Sequence, residues 1–247
     1  MKIEGTVALV TGANRGIGKA IVEELLARGA AKVYAGARNP ESVISDDPRV
    51  VAVALDVTDD ASVAAAADLG DVQLVVNNAG IGRPGFPLAA DLGDARDQFE
   101  TNVLGIVRTT QAFAPVLAGN GGGAFVNVLS VVSWVASPLL STYSASKAAA
   151  WSYTNSARVQ LRGQGTQVVG VHVGYVDTDL IASFDVDKVA PQTVAASALD
   201  TLEAGGTEAI VDDWSAGVKA GLTDDQNALY PGVQAQYDEL VASGAAA

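Results

Sequence analysis

A tyrosine and a lysine four residues apart could form an acid–base site in this chain without histidine, cysteine or metal. Tyr143 and Lys147 are the ends of the segment Tyr-Ser-Ala-Ser-Lys, and on a helix such a pair lies on one face. A free phenol titrates near pH ~10 and is a poor acid or base at neutral pH. A neighbouring ammonium favours the tyrosinate, so we expect Lys147 to lower the pKa of Tyr143. Ser130 adds a hydroxyl to this set.

Alone, the pair is a weak signal, because an exposed amphipathic helix carries Tyr-x-x-x-Lys more commonly than an active site does. The composition narrows the choice. The chain has 247 residues, no cysteine and one histidine, which excludes disulfides, thiol nucleophiles, thiolate zinc sites and multi-histidine metal sites. A net charge of −13 disfavours nucleic acid and anionic membrane surfaces as partners. No signal-peptide layout and no apolar stretch of ~20 residues is present, so we expect a cytoplasmic protein.

The elements that must position these residues follow an alternating pattern. Short β-branched runs alternate with alanine-rich stretches, which predicts an α/β fold: a Rossmann-like, doubly wound parallel sheet of about seven strands with helices on both faces. The predicted strands are 6–11, 32–37, 50–54, 72–77, 123–129, 166–173 and 208–211. The predicted helices are 16–29, 59–67, 94–118, 142–162 and 191–203. We interpret residues 1–247 as a single domain with a tail from about 223, either a terminal helix or frayed.

A glycine-rich turn joins the first predicted strand to the first helix. It reads Thr-Gly-Ala-Asn-Arg-Gly-Ile-Gly over residues 11–18. Three glycines let the backbone turn sharply and approach a pyrophosphate, whose charge then lies at the helix amino terminus. A plain strand–helix loop is the alternative, but the position after strand one favours cofactor binding. The predicted cofactor-binding residues of the turn are Gly12, Asn14, Arg15, Gly16, Ile17 and Gly18.

The residues after the second strand indicate which dinucleotide is bound. An NAD site usually carries an acidic residue there, for the ribose 2′-hydroxyl. This chain has Arg38 at that point and no acid over residues 33–39, and Arg15 lies in the glycine turn. Two guanidinium groups would suit a 2′-phosphate, although either could be an ordinary surface arginine. The missing acid favours NADPH (or NADP) over NAD.

Together these motifs make the chain resemble a short-chain dehydrogenase/reductase of the ordinary single-domain type. The resemblance runs from about Lys2 to Leu180. It rests on six ordered motifs: the 11–18 turn, Asp56-Val57, Asn77-Asn78-Ala79-Gly80, Asn102, Ser130 and Tyr143-x-x-x-Lys147. The resemblance implies an oxidoreductase, similar to NADPH-dependent carbonyl reductases, that forms a homodimer or homotetramer through its helices near 101–118 and 145–157.

The resemblance also implies individual roles. The implied catalytic residues are Asn102, Ser130, Tyr143 and Lys147, and the remaining implied cofactor contacts are Asp56, Val57, Asn78, Ala79, Gly80, Gly174, Val176 and Thr178, with Tyr143 and Lys147 again. Tyr143 would protonate the carbonyl oxygen that Ser130 holds in line while hydride arrives from the nicotinamide. Lys147 would bind the nicotinamide ribose, and Asn102 would hold the water that connects Lys147 to solvent. A polar residue that bends its helix is the simpler explanation of Asn102.

Three departures from the family pattern qualify this reading. Leu129 stands where a second serine is common, and Val173 stands where a proline usually precedes Gly174. The stretch 58–71 is short, which leaves subunit packing there in doubt. His172, the one histidine, lies inside a predicted buried strand, so a structural role is expected.

Loops at the carboxyl ends of the strands should surround the substrate. The predicted pocket residues are Ser130, Val132, Trp134, Leu139, Tyr143 and Tyr175, and further candidates are Ile81, Phe86, Leu140 and 180–189. Their apolar character favours a small uncharged ketone or aldehyde, although Trp134 and Phe86 could equally be packed loop anchors. The short covering segment near 179–191 suggests an open pocket.

Four other functions stay open. The same residues could oxidise alcohols, and a ketoacyl-type reductase would share every motif but needs a basic patch for its acidic carrier. A nucleotide-sugar epimerase would need other glycine spacing and a larger carboxyl-terminal domain. A catalytically silent cofactor sensor has no chemical reason to keep Ser130, Tyr143 and Lys147 together.

Overall fold

A computed structural model describes residues 1–178, 185–223 and 230–243 of the chain. Within them a seven-stranded sheet runs in the order β3-β2-β1-β4-β5-β6-β7, and every neighbouring pair is parallel. The strands are β1 Val7–Thr11, β2 Lys32–Ala37, β3 Val50–Ala54, β4 Leu74–Asn77, β5 Gly123–Val128, β6 Thr166–His172 and β7 Glu208–Ile210. The predicted doubly wound sheet is thereby confirmed.

Helices cover both faces of this sheet. They are α1 Gly16–Ala27, α2 Asp60–Ala67, α3 Leu92–Phe99, α4 Gly105–Gly119, α5 Ser141–Leu161, α6 Pro191–Glu203, α7 Asp213–Ala220 and α8 Pro231–Ala242. Apolar side chains of α1 and α6, such as Leu25 and Leu199, pack on one face. Those of α2, α4 and α5, such as Val63, Phe113 and Leu161, pack on the other. Because both faces are covered, the strands are apolar throughout rather than alternating.

A chain of buried polar side chains fixes α4 and α5 against the middle of the sheet. Thr109 of α4 donates to Asn77 Oδ1 over 2.7 Å, and Asn77 Nδ2 donates to Asn127 Oδ1 over 2.8 Å. Asn127 Nδ2 donates in turn to Thr154 Oγ1 of α5 over 2.9 Å. Each of these four side chains has a hydrogen-bond partner. The network therefore fixes the lateral position of α5 without leaving these polar groups unsatisfied.

Three regions differ from the sequence prediction or extend it. The predicted helix 94–118 consists of α3, a π-helical turn at Glu100–Leu104, and α4. α7 was not predicted, since it is short and contains Gly217. The tail includes α8, whereas the predicted covering segment falls partly on 179–184, outside the described residues. The assignment of 1–247 to a single domain stays a prediction.

Two kinds of structural feature are absent from residues 1–178, 185–223 and 230–243. None of their helices is long and apolar enough to cross a membrane. These same residues also contain no group of three or more His, Cys, Asp or Glu side chains that could hold a metal ion.

Candidate active site

Three side chains meet at the carboxyl end of β5. Ser130 follows this strand, and Tyr143 and Lys147 project from the first two turns of α5. The Ser130 hydroxyl donates to the carbonyl oxygen of Val173 over 3.4 Å, and it lies near enough to Tyr143 to affect the pKa of the phenol. The Lys147 ammonium donates to the carbonyl oxygen of Val128 over 2.9 Å and lies 5.8 Å from the centre of the Tyr143 ring. The structure thus brings together the three residues with which the sequence analysis began.

Burial governs the protonation of this pair. It raises the pKa of Tyr143 to about 12, and the nearby Ser130 hydroxyl only partly opposes that rise. Burial also lowers the pKa of Lys147 to about 8. The expected lowering of the Tyr143 pKa by Lys147 is therefore corrected, because desolvation disfavours the tyrosinate and the ammonium is anchored on Val128. At neutral pH Tyr143 keeps its proton and can act as a donor.

Asn102 lies in the π-helical turn between α3 and α4. Its side-chain amide donates to the carbonyl oxygen of Ile81 over 2.8 Å and to Ser146 Oγ over 3.0 Å, and its Oδ1 accepts from the Ile81 amide over 2.9 Å. π-helical turns occur often at functional sites. Asn102 therefore ties the loop after β4 to the catalytic helix, one residue before Lys147. Its predicted water-holding role stays a prediction.

The glycine turn is held against the end of β4 by Thr11 and Asn78. Thr11 Oγ1 accepts from the backbone amides of Asn78 and Ala79 over 3.0 and 2.9 Å. The Asn78 side chain donates to the carbonyl oxygens of Thr11 and Gly12, each over 3.0 Å. A Cβ at Gly18 would lie 2.2 Å from the Gly12 oxygen, so this position requires glycine. Thr11 is a positioning residue that the sequence analysis did not select.

The amino end of α1 points its amides toward this turn. Among the described residues no side-chain hydrogen bond caps its first turn. Gly16 has a φ of +53°, and a Cβ there would lie 3.2 Å from Thr178 Cγ2. A Cβ at Gly80 would approach Asn102 Oδ1 to 3.2 Å and Lys147 Nζ to 3.7 Å. Since uncapped amides at a helix amino terminus attract phosphate, this glycine-lined cradle fits a dinucleotide pyrophosphate.

Two arginines lie at the edge of the sheet where a bound adenosine would end. The Ala13 amide donates to the Gly36 carbonyl oxygen over 3.0 Å, which ties the glycine turn to the end of β2. Arg15 and Arg38 each follow this link by two residues, and both side chains are exposed. Arg15 also lines a cleft with Thr178 and Lys19. Both arginines therefore lie in the loops that follow β1 and β2 at the same edge of the sheet.

Asp56 and Val57 follow β3 at the same edge. Thr58 donates to Asp56 Oδ1 from its amide over 2.9 Å and from its hydroxyl over 2.7 Å. Burial opposes ionisation, but the Thr58 hydrogen bonds and the charges of Arg38 and Arg108 lower the pKa of Asp56 below its usual value. The Val57 side chain is buried in the core cluster. Its backbone is the part left to contact an adenine.

A cavity of about 180 Å³ opens beside the acid–base residues. The predicted site residues that line it are Ile17, Asn78, Gly80, Ser130, Val132, Tyr143, Lys147, Gly174, Tyr175, Val176 and Thr178. Lys147 is the one charged side chain among the described residues of the lining. The cavity therefore combines predicted cofactor and substrate residues in one apolar space.

Trp134 and Leu139 are placed differently from the prediction, since neither is among the described residues that line the cavity. The Trp134 ring stacks on His172 with 3.7 Å between centroids, and the Lys219 ammonium lies 4.7 Å from it. Trp134 is thus a packed anchor. Leu140 takes the expected place of Leu139 in the wall.

His172 is fully buried, as the sequence indicated, and its Nδ1 lies 3.2 Å from the Ser130 carbonyl oxygen. Because a carbonyl oxygen only accepts, Nδ1 carries the proton. Burial lowers the pKa of His172 to about 4, although this hydrogen bond and the Glu208 carboxylate act against the change. The imidazole is therefore neutral and fixes the backbone of Ser130.

Among the cavity residues that the sequence analysis did not select, Trp214 and Val233 lie furthest along the chain. Trp214 stacks on Tyr175 with 5.5 Å between ring centres, and a Cβ at Gly174 would lie 2.7 Å from Trp214 Cε3. Asp212, which caps α7, could have revealed this helix, because a capping side chain before a short apolar run predicts a helix start. Val233 follows Pro231, a common first residue of helices.

Comparisons with known proteins agree with this geometry. A family model described as short chain dehydrogenase matches residues 6–188. A short chain dehydrogenase of Burkholderia cenocepacia, solved in complex with NADP, is 40% identical with a TM-score of 0.90, and the match covers 94% of this chain and 99% of that one.

Two curated relatives carry names of different activities. The 3-oxoacyl-(acyl-carrier-protein) reductase of Vibrio cholerae is 35% identical over 190 residues, 73% of this chain and 77% of the relative. The cis-4-hydroxycyclohexanecarboxylate dehydrogenase of Sinomonas cyclohexanicum is 38% identical over 192 residues, with the same two shares of 73% and 77%.

Proposed function

Because this chain belongs to the short-chain dehydrogenase family, and is thus an oxidoreductase of CH–OH and C=O groups, we propose that it reduces uncharged ketones and aldehydes with NADPH. The observation that carries this proposal is that Ser130 and Tyr143 both line one apolar cavity, together with Lys147. A carbonyl oxygen that takes the place between them would meet two donors.

The residues of the chain supply the proton and the positioning. The cofactor, when bound, supplies the hydride that adds to the carbonyl carbon. Tyr143 transfers its phenolic proton to the carbonyl oxygen as negative charge grows there, while Ser130 donates a hydrogen bond to that oxygen. One hydride and one proton convert the C=O group to CH–OH. The high pKa of Tyr143, about 12, keeps this proton in place until the oxygen becomes basic.

The choice of NADPH rests on Arg15 and Arg38. Both follow strands at the edge where the adenosine would end, and residues 33–39 contain no acid to bind a ribose 2′-hydroxyl. Guanidinium groups bind phosphate oxygens in a bidentate manner. The relative from Burkholderia cenocepacia, in complex with NADP, supports the same choice.

The substrate class follows from the lining of the cavity. Its described residues offer Lys147 as the one charged group, and that ammonium is engaged by the Val128 carbonyl oxygen. A substrate carboxylate would therefore find no cation of its own. The apolar walls favour an uncharged carbonyl compound with an aliphatic or aryl group.

Reduction of 3-oxoacyl thioesters is a second candidate. It is supported by the name of the Vibrio cholerae relative and by the shared acid–base residues. A carrier-linked substrate would require a basic surface near the cavity, whereas the chain has a net charge of −13. Oxidation of the corresponding alcohols uses the same site in reverse, and the cellular cofactor ratio decides the direction.

The test is loss of NADPH absorbance with a panel of aryl ketones, aliphatic ketones, aldehydes and 3-oxoacyl thioesters, with NADH in parallel. We expect turnover of the uncharged ketones with NADPH. Tyr143→Phe should lower kcat by ~10²–10⁴-fold, as expected for loss of a general acid. Tyr153→Phe is the matched control, since Tyr153 lies on the same helix outside the cavity lining.

Each alternative outcome has its own meaning. A preference for NADH would overturn the 2′-phosphate interpretation and leave the acid–base roles standing. Preference for carrier-linked thioesters would replace the first candidate with the second. Tight cofactor binding without turnover of any compound would favour the silent sensor.

A further inference from the structure

The helix α8 lies against the cavity through one of its faces. Tyr230, Val233 and Tyr237 follow the spacing i, i+3 and i+7, so they share that face. Val233 lines the cavity itself. Tyr230 and Val233 pack against the buried cluster Val131, Val132 and Val135, which lies directly after the catalytic Ser130.

Two further contacts fix α8 beside the cavity. The Ala136 amide donates to the Tyr230 hydroxyl over 3.2 Å, at the loop after β5. The Tyr237 ring meets Phe86 edge-on, with 6.0 Å between centroids, at the loop after β4. These loops lie on two sides of the cavity, which is also lined by Pro84 and Ala136. The helix therefore bridges the two loops.

The position of Val233 relative to the acid–base residues gives it a chemical role. Tyr143 belongs to the same apolar cluster as Val131, Val132 and Val233. These apolar side chains therefore offer a space beside Tyr143 for one substituent of a carbonyl compound held by Ser130 and Tyr143. No charged side chain reaches this space from the described residues of the lining other than Lys147.

We propose that α8 is the outer wall of the substrate pocket and that Val233 limits the size of the apolar substituent on the carbonyl carbon. Tyr230 is a positioning residue that holds α8 in place through the Ala136 amide. This inference rests on the proposed reductase function, and it replaces the open pocket expected from the short 179–191 segment with one bounded by the carboxyl-terminal helix.

The test compares three methyl ketones of increasing size: acetone, acetophenone and 2-acetonaphthone. Val233→Ala should raise kcat/KM for 2-acetonaphthone relative to acetone by ~10-fold or more, and Val233→Trp should lower that ratio by a similar factor. Val241→Ala and Val241→Trp are matched controls, since Val241 is a half-exposed valine on the same helix. NADPH affinity should stay unchanged in all four variants.

Tyr230→Phe tests the anchor separately. We expect faster hydrogen exchange at the Ala136 amide and a weaker discrimination by ketone size. An unchanged size ratio in both Val233 variants, or an equal change in the Val241 variants, would overturn the inference. An unchanged rate of hydrogen exchange at the Ala136 amide would show that Tyr230 does not anchor α8.

A failure of the reductase function can be told apart from a failure of this inference. If the unsubstituted chain reduces none of the three ketones, their binding is compared by saturation-transfer NMR in the same variants. A change in the binding of 2-acetonaphthone that occurs only in the Val233 variants would support the role of α8 as the pocket wall. Equal binding in the Val233 and Val241 variants would reject it.

Discussion

At the scale of single residues, His172 fixes the backbone of Ser130, a proposed catalytic residue, although it is not among the described residues that line the cavity. It donates to the Ser130 carbonyl oxygen, and its Nε2 lies 3.7 Å from Glu208 Oε1. Glu208 also accepts from Lys219 over 2.6 Å and from Trp151 over 3.1 Å. The charged groups Glu208, Lys219 and Arg158 thus surround a neutral imidazole.

This environment predicts a loss of stability in mild acid. Burial lowers the pKa of His172 in the folded chain to about 4, whereas the unfolded chain has the ordinary value of about 6.5. Between these values the unfolded chain binds more protons, so the free energy of unfolding falls as pH falls through this window, by up to roughly 3 kcal/mol. Urea unfolding at pH 7.5, 5.5 and 4.5 measures this fall.

His172→Gln removes the titrating group and should flatten the fall in stability between pH 6.5 and 4. Glu208 loses stabilising interactions at low pH as well, since its pKa is lowered by Lys219 and Trp151 against the effect of burial. The difference between the two pH profiles therefore isolates His172. Identical profiles would show that His172 is not the group responsible.

The reactive residues could be predicted from their spacing, but their pKa values could not. Ser130, Tyr143 and Lys147 form an ordered motif, and α5 makes neighbours of the last two. The direction of the Tyr143 pKa depends on how deeply fold and cavity bury the phenol, and spacing carries no information on burial. Trp134 was assigned to the pocket for its position after β5, whereas stacking on His172 decides where its ring lies.

At the scale of elements, α7 is fastened to the site by one carboxylate. Asp212 Oδ1 accepts from the Ser215 amide over 2.8 Å and caps the helix, while Oδ2 accepts from the Gly174 amide over 2.6 Å. Gly174 lies where the family pattern has a proline just before it and this chain has Val173. The Asp212 bond holds the turn that the missing proline would otherwise stiffen.

Asp212→Ala should therefore affect both stability and the reaction. We expect a loss of about 2 kcal/mol in the free energy of unfolding and a several-fold rise in KM for ketones, because Gly174 and Trp214 line the cavity. Asp59→Ala is the control, since Asp59 caps α2 through the Ala61 amide away from the cavity. It should cost about 1 kcal/mol and leave KM unchanged. A normal KM in Asp212→Ala would contradict the proposed link.

Element prediction succeeded where the pattern was long or strongly apolar. All seven strands lie within a few residues of their predicted bounds, because buried parallel strands read as continuous apolar runs. α7 and the π-helical turn escaped for opposite reasons. α7 is too short to show a clear helical period in the sequence. The π-helical turn lies within a longer helical pattern and differs from an α-helix by only one residue per turn, so the pattern does not reveal it.

At the scale of the whole molecule, two exposed apolar side chains next to the start of α4 suggest self-association. Leu104 is 42% exposed and Phe99 is 38% exposed at the junction of α3 and α4. We expect the chain to form a homodimer or homotetramer through α4 and α5, as its family resemblance implied. Exposed apolar groups on otherwise covered helices are typical of such interfaces.

Leu104→Glu should lower the mass measured by light scattering after gel filtration, because a carboxylate would be buried without a partner in the interface. Leu88→Glu is the matched control, since Leu88 is fully exposed in the loop after β4. Circular dichroism confirms that both variants fold. A monomeric unsubstituted chain, or equal masses in the two variants, would reject this interface.

The order of the strands in the sheet also determines when each part of the site can form during synthesis. β1 pairs with β4 as well as with β2, which follows it directly along the chain. The hydrogen bonds between Thr11 and Asn78 therefore cannot form until β4 and Asn78 have been synthesised. The acid–base residues arrive next, after β5 and on α5, and Val233 arrives later still on α8. Chains fold from the amino terminus as they emerge. A nascent chain would therefore form the Thr11–Asn78 link before it contains Val233, the residue proposed to limit substrate size.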